Sequence, residues 1–470
     1  MAGIRAVLSW LERRQNVVLA LLLLGWFAPF LGAPLGLGWF YSFSIALVVA
    51  GVALPGLSLP VLAILCLFFP QNIVNGTAIF TFTILLLAIV ALALISRFRS
   101  GLRGRPLSRQ SWVWLVAAVA VVVSSVPNGI AHGVSLPEQI AVLRVVGFPI
   151  VVALLLKASP GANTASLSRT LSAATWTASL VAVLMVVQVG LGQWPFLDEF
   201  SISHNYTSAA FGGRPGGTVG HPIVSAYVLA ALVAVQVYRR NRWWWLTSSV
   251  GIVAVVMSGS RSAWLVLAVT LGGLILVWLR RKSSPRVFWV SVGSGVAAVI
   301  SALIVLALSP AVQRFLESST ALSRLNIFND ASGMYRGNRV EAAFALIAET
   351  PWTIVFGHGP GFAQQYLTEI GILDGQPASF DQSYLSFWID FGAVGLIVFV
   401  TPFLACLLRG SALSRVFAGS FLIISAFVTV LNWVSVLATA ILAVVCWHGI
   451  QSGWQRDARN LPTPEPSLEP

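Results

Sequence analysis

The sequence predicts an all-α fold, a polytopic membrane helical bundle of about 12–14 transmembrane helices with one large extracytoplasmic loop. Three observations predict it. Apolar residues make up 57% of the chain and charged residues 9%, whereas a soluble domain carries about a quarter charged residues. The apolar residues gather in runs of the length a helix needs to cross a hydrocarbon core, about 20 residues for ~30 Å. Strand-like alternation is absent from those runs, which excludes a barrel. A mean hydropathy of +0.86 expresses the same bias.

Apolar segments fall at 15–33, 37–54, 57–71, 76–96, 111–127, 141–157, 171–191, 221–238, 244–258, 262–279, 287–309, 383–408, 416–431 and 433–450. The first follows Arg13 and Arg14 and lacks a small-residue cleavage site, so it reads as a retained helix. The second and third are short and joined by the neutral run Leu54-Pro-Gly-Leu-Ser58, so they form two spans or a re-entrant pair. A Gly-rich outer segment covers 192–220. The segment 310–382 is the longest extramembrane piece, and a connection of that length implies function. Within it Val340, Phe344 and Ile347 recur at helical spacing and Pro351 stops the pattern, which predicts a surface helix over 338–350 lying on the bundle. The Pro-rich tail is expected to be disordered and cytoplasmic. The domain reading is therefore 1–192 as amino-terminal transmembrane helices, 193–450 as the region of the chemistry including the outer loop 310–382, and 451–470 as the tail.

A net charge of +13 suggests nucleic acid in a soluble protein, but here the basic residues punctuate apolar runs, which is a topogenic signal. No nucleic-acid partner is implied; the lipid bilayer is. With the amino terminus inside, the inner loops take 21 of the 28 basic residues. The seven left outside are Arg144, Arg214, Arg261, Arg314, Arg324, Arg336 and Arg339. Carboxylates collect on the outer side, as do His132, His204, His221 and His358, while His448 lies inside. Both termini are thus expected in the cytoplasm and the chemistry on the outer face. Cys66, Cys406 and Cys446 lie inside apolar runs without CxxC spacing and read as small core hydrophobes. No His, Cys and carboxylate spacing argues for a metal, and no cofactor is expected.

Arginine offers a planar fork of donors that suits phosphate and keeps its charge at any physiological pH. Arg261 leads the candidates, because it stands in the polar hairpin Met257-Ser-Gly-Ser-Arg-Ser-Ala-Trp264 where Ser260 and its neighbours allow close approach at a helix start. Snorkelling to headgroups is the plainer alternative. Arg336 and Arg339 stand three apart and can share a helix face, or Arg339 can pair with Glu341. Arg144 lies a turn into an apolar run, where it lines the bundle interior or pairs with Glu138. Arg214 sits in a Gly-rich loop able to wrap an anion. Asp381 and Asp390 bracket the start of the helix at Ser383; a carboxylate there can act as a general base, and Asp381 can equally cap the helix. His221 and His358 lie in Gly/Pro turns, as interface residues or as sugar-binding or catalytic ones.

The order of these motifs resembles the O-antigen ligase/polymerase superfamily, polyprenyl-diphosphate-dependent integral membrane glycosyltransferases. Arg214-Pro-Gly-Gly-Thr-Val-Gly-His-Pro222 resembles its R-x-x-G-T-x-x-H-P segment, and Met257 to Trp264 its S-x-S-R-S/G hairpin. Arg339 to Pro351 with Phe356-Gly-His-Gly-Pro-Gly-Phe362 resembles the stretch of its large outer loop. Asp381 to Gly395 resembles H-N-x-Y-L-x-x-L-x-x-x-G-x-x-G. The likeness runs from about Trp194 to Leu407. It implies that Arg261 and Arg339 bind the diphosphate of a polyprenyl-diphosphate-linked glycan donor, and that the acceptor is a glycan or lipid-linked glycan. It implies a metal-independent, inverting glycosyltransferase at the outer face of a bacterial cytoplasmic membrane. Asp381 replaces the His usual in ligases acting on lipid A-core, which suits a polysaccharide polymerase. An O-antigen ligase is the alternative, and a lipid-linked glycan flippase is the alternative of another class.

Overall fold

The computed structural model describes residues 14–28, 37–54, 57–68, 109–140, 142–143, 164–192, 214–240, 242–282, 284, 287, 290, 331–369, 382–427 and 433–448. Its helices are α1 (Gln15–Phe27), α2 (Leu37–Ala53), α3 (Ser58–Phe68), α4 (Arg109–Ala131), α5 (Thr164–Leu191), α6 (Pro222–Arg239), α7 (Trp244–Met257) and α8 (Arg261–Lys282). They continue as α9 (Ala331–Ile347), α10 (Pro351–Phe356), α11 (Phe362–Glu369), α12 (Ser383–Arg409), α13 (Ala412–Ser425) and α14 (Val434–Val445). Of the apolar segments, 76–96 lies outside the described residues and 141–157 and 287–309 largely so; each of the others coincides with a helix. The protein is an all-α polytopic membrane protein. Among the described residues, five helices are long and apolar enough to cross a bilayer: α4 from Trp112, α5 from Leu167, α6, α8 to Leu279, and α12.

Helix α6 is the axis of the bundle. It is buried on nearly every side, with Ala226, Ala230, Ala231 and Ala234 fully enclosed, and such small side chains let neighbouring backbones approach closely in lipid. Hydrogen bonds tie it to its neighbours. The Gln236 amide donates to the Thr175 carbonyl at 3.0 Å and to Ser179 Oγ at 3.1 Å on α5, and the Tyr227 and Thr439 hydroxyls join α6 to α14. Arg239, 4% exposed, donates to Ser168 and Ser172 Oγ at 3.0 Å each. Buried polar groups carry a desolvation cost that such bonds offset. Helix α3 is buried from Val61 to Phe68, yet its 11 residues reach only about half the hydrocarbon thickness at 1.5 Å per residue.

The two ends of the bundle differ. One end gathers the basic residues: Arg169 at the start of α5 donates to Gln15 at 3.2 Å, Arg239 and Arg240 close α6, and Arg415 donates to the Gly410 carbonyl at 2.9 Å. The other end gathers the starts of α6, α8, α12 and α14 with the last turns of α4, α7 and α13. Contacts between distant segments fix this: Gly217 N–H meets Gln188 Oε1 at 3.0 Å, the His221 and Trp433 rings lie 4.6 Å apart, and the Tyr384 hydroxyl donates to the Leu422 carbonyl.

One expected feature is corrected in part. Helix α9 begins at Ala331, earlier than residue 338; of the expected stripe, Val340 and Ile347 pack inward and Phe344 does not. Ala343 and Ile347 turn inward against Leu385 and Ile389 of α12, Arg339 is buried, and Phe344 is 51% exposed. An i, i+4, i+8 row follows a helical face as well as the apolar spacing does, and the small Ala343 permits close packing on α12.

Candidate functional site

The hairpin between α7 and α8 is built from its backbone upward. Gly259 takes φ +62°, a left-handed conformation that favours glycine, and the turn is closed by Ser260 N–H on Ser258 Oγ at 3.1 Å. Ser260 Oγ then accepts from Ala263 N–H at 3.4 Å and shares a bond with Ser262 Oγ at 3.2 Å. Ser260 thus caps α8, a common role for serine at a helix start. Arg261 follows as the first residue of α8, half-buried. Across from it, Arg214 Nε donates to the Ser258 carbonyl at 2.6 Å. Two arginines more than 40 residues apart in sequence therefore converge on one hairpin at the bundle end poor in basic residues.

His221 stands beside them as the cap of α6. Its Nδ1 accepts from Val224 N–H at 3.4 Å, and Pro222 follows at the first helical position, where a missing N–H costs nothing. Burial and then the nearby Arg214 charge push its imidazole down to about 3. Because Nδ1 accepts, a neutral His221 carries its proton on Nε2.

A second constellation forms around the glycine loop 357–361. The loop docks into a break in α12, where Gly392 takes φ +67° and ψ −175°. His358 N–H donates to the Ile389 carbonyl at 2.8 Å and Gly359 N–H to the Asp390 carbonyl at 2.9 Å. The Asp390 carboxylate accepts from Gly361 N–H at 3.1 Å and Ala363 N–H at 2.9 Å, capping α11. Gly359 also meets α4: a Cβ on it would lie 2.1 Å from the Gly129 nitrogen. Asn128 Nδ2 donates to the Gly357 carbonyl at 3.3 Å. Within the loop, the buried His358 reaches Glu349 from Nε2 at 2.8 Å and stacks on Phe362 with ring centres 4.4 Å apart.

Of the residues singled out from sequence, Arg214, His221, Ser260 and Arg261 come together at the α7–α8 hairpin, and Asp390 with His358 at the glycine loop. Arg339 is buried on the α9 face that meets α12. Arg336 lies on α9 with only its backbone described, and Arg144 and Asp381 lie outside the described residues. Glu138, suggested as a partner for Arg144, accepts from Ser135 Oγ at 2.7 Å. Glu349, His132 and Asn128 carry contacts at this end that no motif spacing announced. Among the described residues no group of three or more His, Cys, Asp and Glu is arranged to hold a metal.

Residues 246–400 match the O-antigen ligase family. The match bears out the resemblance drawn from the motifs and spans the Arg261 hairpin, the Arg339 helix, the glycine loop and the broken helix α12; the Arg214 segment lies upstream of it. The O-antigen ligase family carries glycosyltransferase-like chemistry of the ligase or polymerase type. No curated protein matches the chain.

Proposed function

We propose that this protein is a polysaccharide polymerase-type glycosyltransferase that moves a glycan from a polyprenyl-diphosphate carrier to an acceptor sugar hydroxyl, on the outer face of the bacterial cytoplasmic membrane. The convergence of Arg214 and Arg261 on one hairpin, at the bundle end away from the basic belt, carries the reading. The acceptor oxygen attacks the anomeric carbon, the bond from that carbon to the diphosphate oxygen breaks, and the diphosphate leaves with the electron pair. Inversion follows from a single displacement. Asp381 takes the hydroxyl proton. Arg261, Arg214 and Arg339 hold the diphosphate as its charge grows, an electrostatic role for preorganised donors that needs no metal. Arg336 and Arg144 are assigned to the glycan and diphosphate approach, and neutral His221 to a donor role from Nε2.

An apolar cavity of about 230 Å³ supports a lipid-borne donor. It lies between α4, α12, α13 and α14, lined by Phe387, Phe391 and Phe399 near the break and by Trp114 and Pro402 further along. Its lining matches an isoprenoid chain, whose burial is favourable in proportion to the apolar area covered.

Purified protein in detergent, given the lipid-linked glycan of its own host, tests the reading. Chain growth in the absence of any membrane partition is the expected result. A flippase would show none, and in proteoliposomes would instead move the donor between leaflets. Transfer to lipid A-core without growth of the lipid-linked chain would make the protein a ligase.

A further inference from the structure

Resting on the transferase reading, we propose that Glu349, with His132 beside it, forms the subsite that holds the acceptor glycan. The glycine loop is already tied to α12 by its backbone and by Asp390. The His358–Glu349 bond reaches beyond that anchorage, to a glutamate that is itself 58% exposed. A buried polar ring is costly, and this one, fully enclosed, gives its Nε2 bond to a surface carboxylate while its Nδ1 is buried with no hydrogen-bond partner among the described residues. A carboxylate only accepts, so Nε2 donates. What the bond achieves is to hold one Glu349 oxygen while the side chain stays largely exposed. An exposed glutamate otherwise loses rotamer freedom on binding anything.

His132 completes the pattern. It is exposed, with its ring 4.9 Å from that of His358, and its Nδ1 lies 2.8 Å from the Asn128 carbonyl. A carbonyl only accepts, so Nδ1 carries a proton, and in the neutral ring Nε2 presents a lone pair. The two exposed groups flanking His358 therefore both offer acceptors. Such a patch recognises a donor-rich ligand, as the hydroxyls of a sugar are. It is the chemical opposite of the arginine hairpin, which suits an anion. Trp352, 58% exposed and three residues beyond Glu349 at the start of α10, offers an aromatic face for a pyranose. Glu349 binds and orients the acceptor here, and His358 is a positioning residue acting through it; the reacting proton still goes to Asp381.

The test titrates acceptor against purified protein, using the oligosaccharide repeat released by mild acid from the host's own surface polymer. Glu349→Gln is expected to raise the acceptor KM about tenfold or more, the size of one charge-assisted hydrogen bond, with donor KM and kcat at saturating acceptor nearly unchanged. His358→Leu should raise acceptor KM similarly, and His358→Gln, which keeps a donor, less. Calorimetric binding of the same oligosaccharide, which needs no turnover, should weaken in step. An acceptor KM and affinity unchanged in Glu349→Gln, or a loss in kcat alone, would overturn the subsite while leaving the transferase reading intact. Wild-type protein that transfers nothing would overturn the transferase reading instead, and the binding arm would still decide whether Glu349 holds glycan.

Discussion

At the scale of single residues, the proposed function gives Arg261 and Arg214 the task that a soluble phosphate site gives to backbone amides, with charge that survives beside lipid. Replacing Arg261 by Ala is expected to lower transfer about 10²–10³-fold, as for loss of a preorganised transition-state donor; Lys should restore only part, because it lacks the planar fork. Initial rates of chain growth measure both. His221 behaves differently. Its folded-state value of about 3 lies below the ordinary 6.5, so the unfolded chain takes up a proton between those values that the folded site refuses. Stability should therefore fall as pH drops through that window, and His221→Asn should flatten the fall in detergent-solubilised melting curves. Arg214, His221 and Arg261 were legible in the sequence because each stands in a polar break between apolar runs. Glu349, His132 and Asn128 were not, because their meaning comes from contact: Asn128 and Gly357 are 229 residues apart. Ser260 and Asp390, expected as ligand groups, also accept backbone N–H groups at the starts of α8 and α11.

At the scale of elements, the decisive device is the break in α12. Gly392 holds a backbone conformation that costs a residue with a Cβ on the order of 1–3 kcal/mol, and an added Cβ would also lie 2.2 Å from the Val355 carbonyl oxygen. Gly392→Ala and Gly359→Ala should each lower the melting temperature and loosen the glycine loop, measured by protease sensitivity between α9 and α12. Asp390→Asn should lower it too, since a neutral amide replaces a carboxylate that accepts two backbone N–H groups. Helix positions were readable because apolar period and punctuation coincide in this chain. The break was not, since Phe391-Gly-Ala393 lies inside an apolar run where glycine gives no sign of its φ. The facing of α9 was legible at Val340 and Ile347 but not at Phe344, because apolar spacing alone gives no weight to a buried arginine beside a small alanine.

At the scale of the molecule, the two ends of the bundle carry opposite duties: a basic belt at one, the arginine hairpin and glycine loop at the other. The topology we propose from positive-inside bias puts the belt in the cytoplasm. In a background where the buried Cys66, Cys406 and Cys446 are replaced, a cysteine at the exposed Arg240 should resist a membrane-impermeant maleimide in intact cells, and one at the exposed Gln364 should react. The reverse pattern would turn the site to the cytoplasm. The family match over residues 246–400 gives the class of chemistry, and the residues at the end away from the basic belt give its proposed machinery. Both meet in one measurement, the length and yield of surface polymer in a deletion strain carrying Arg261→Ala or Asp381→Asn at wild-type protein levels. Both variants should leave single repeat units and no long chains; polymer of normal length and yield from both would contradict the account.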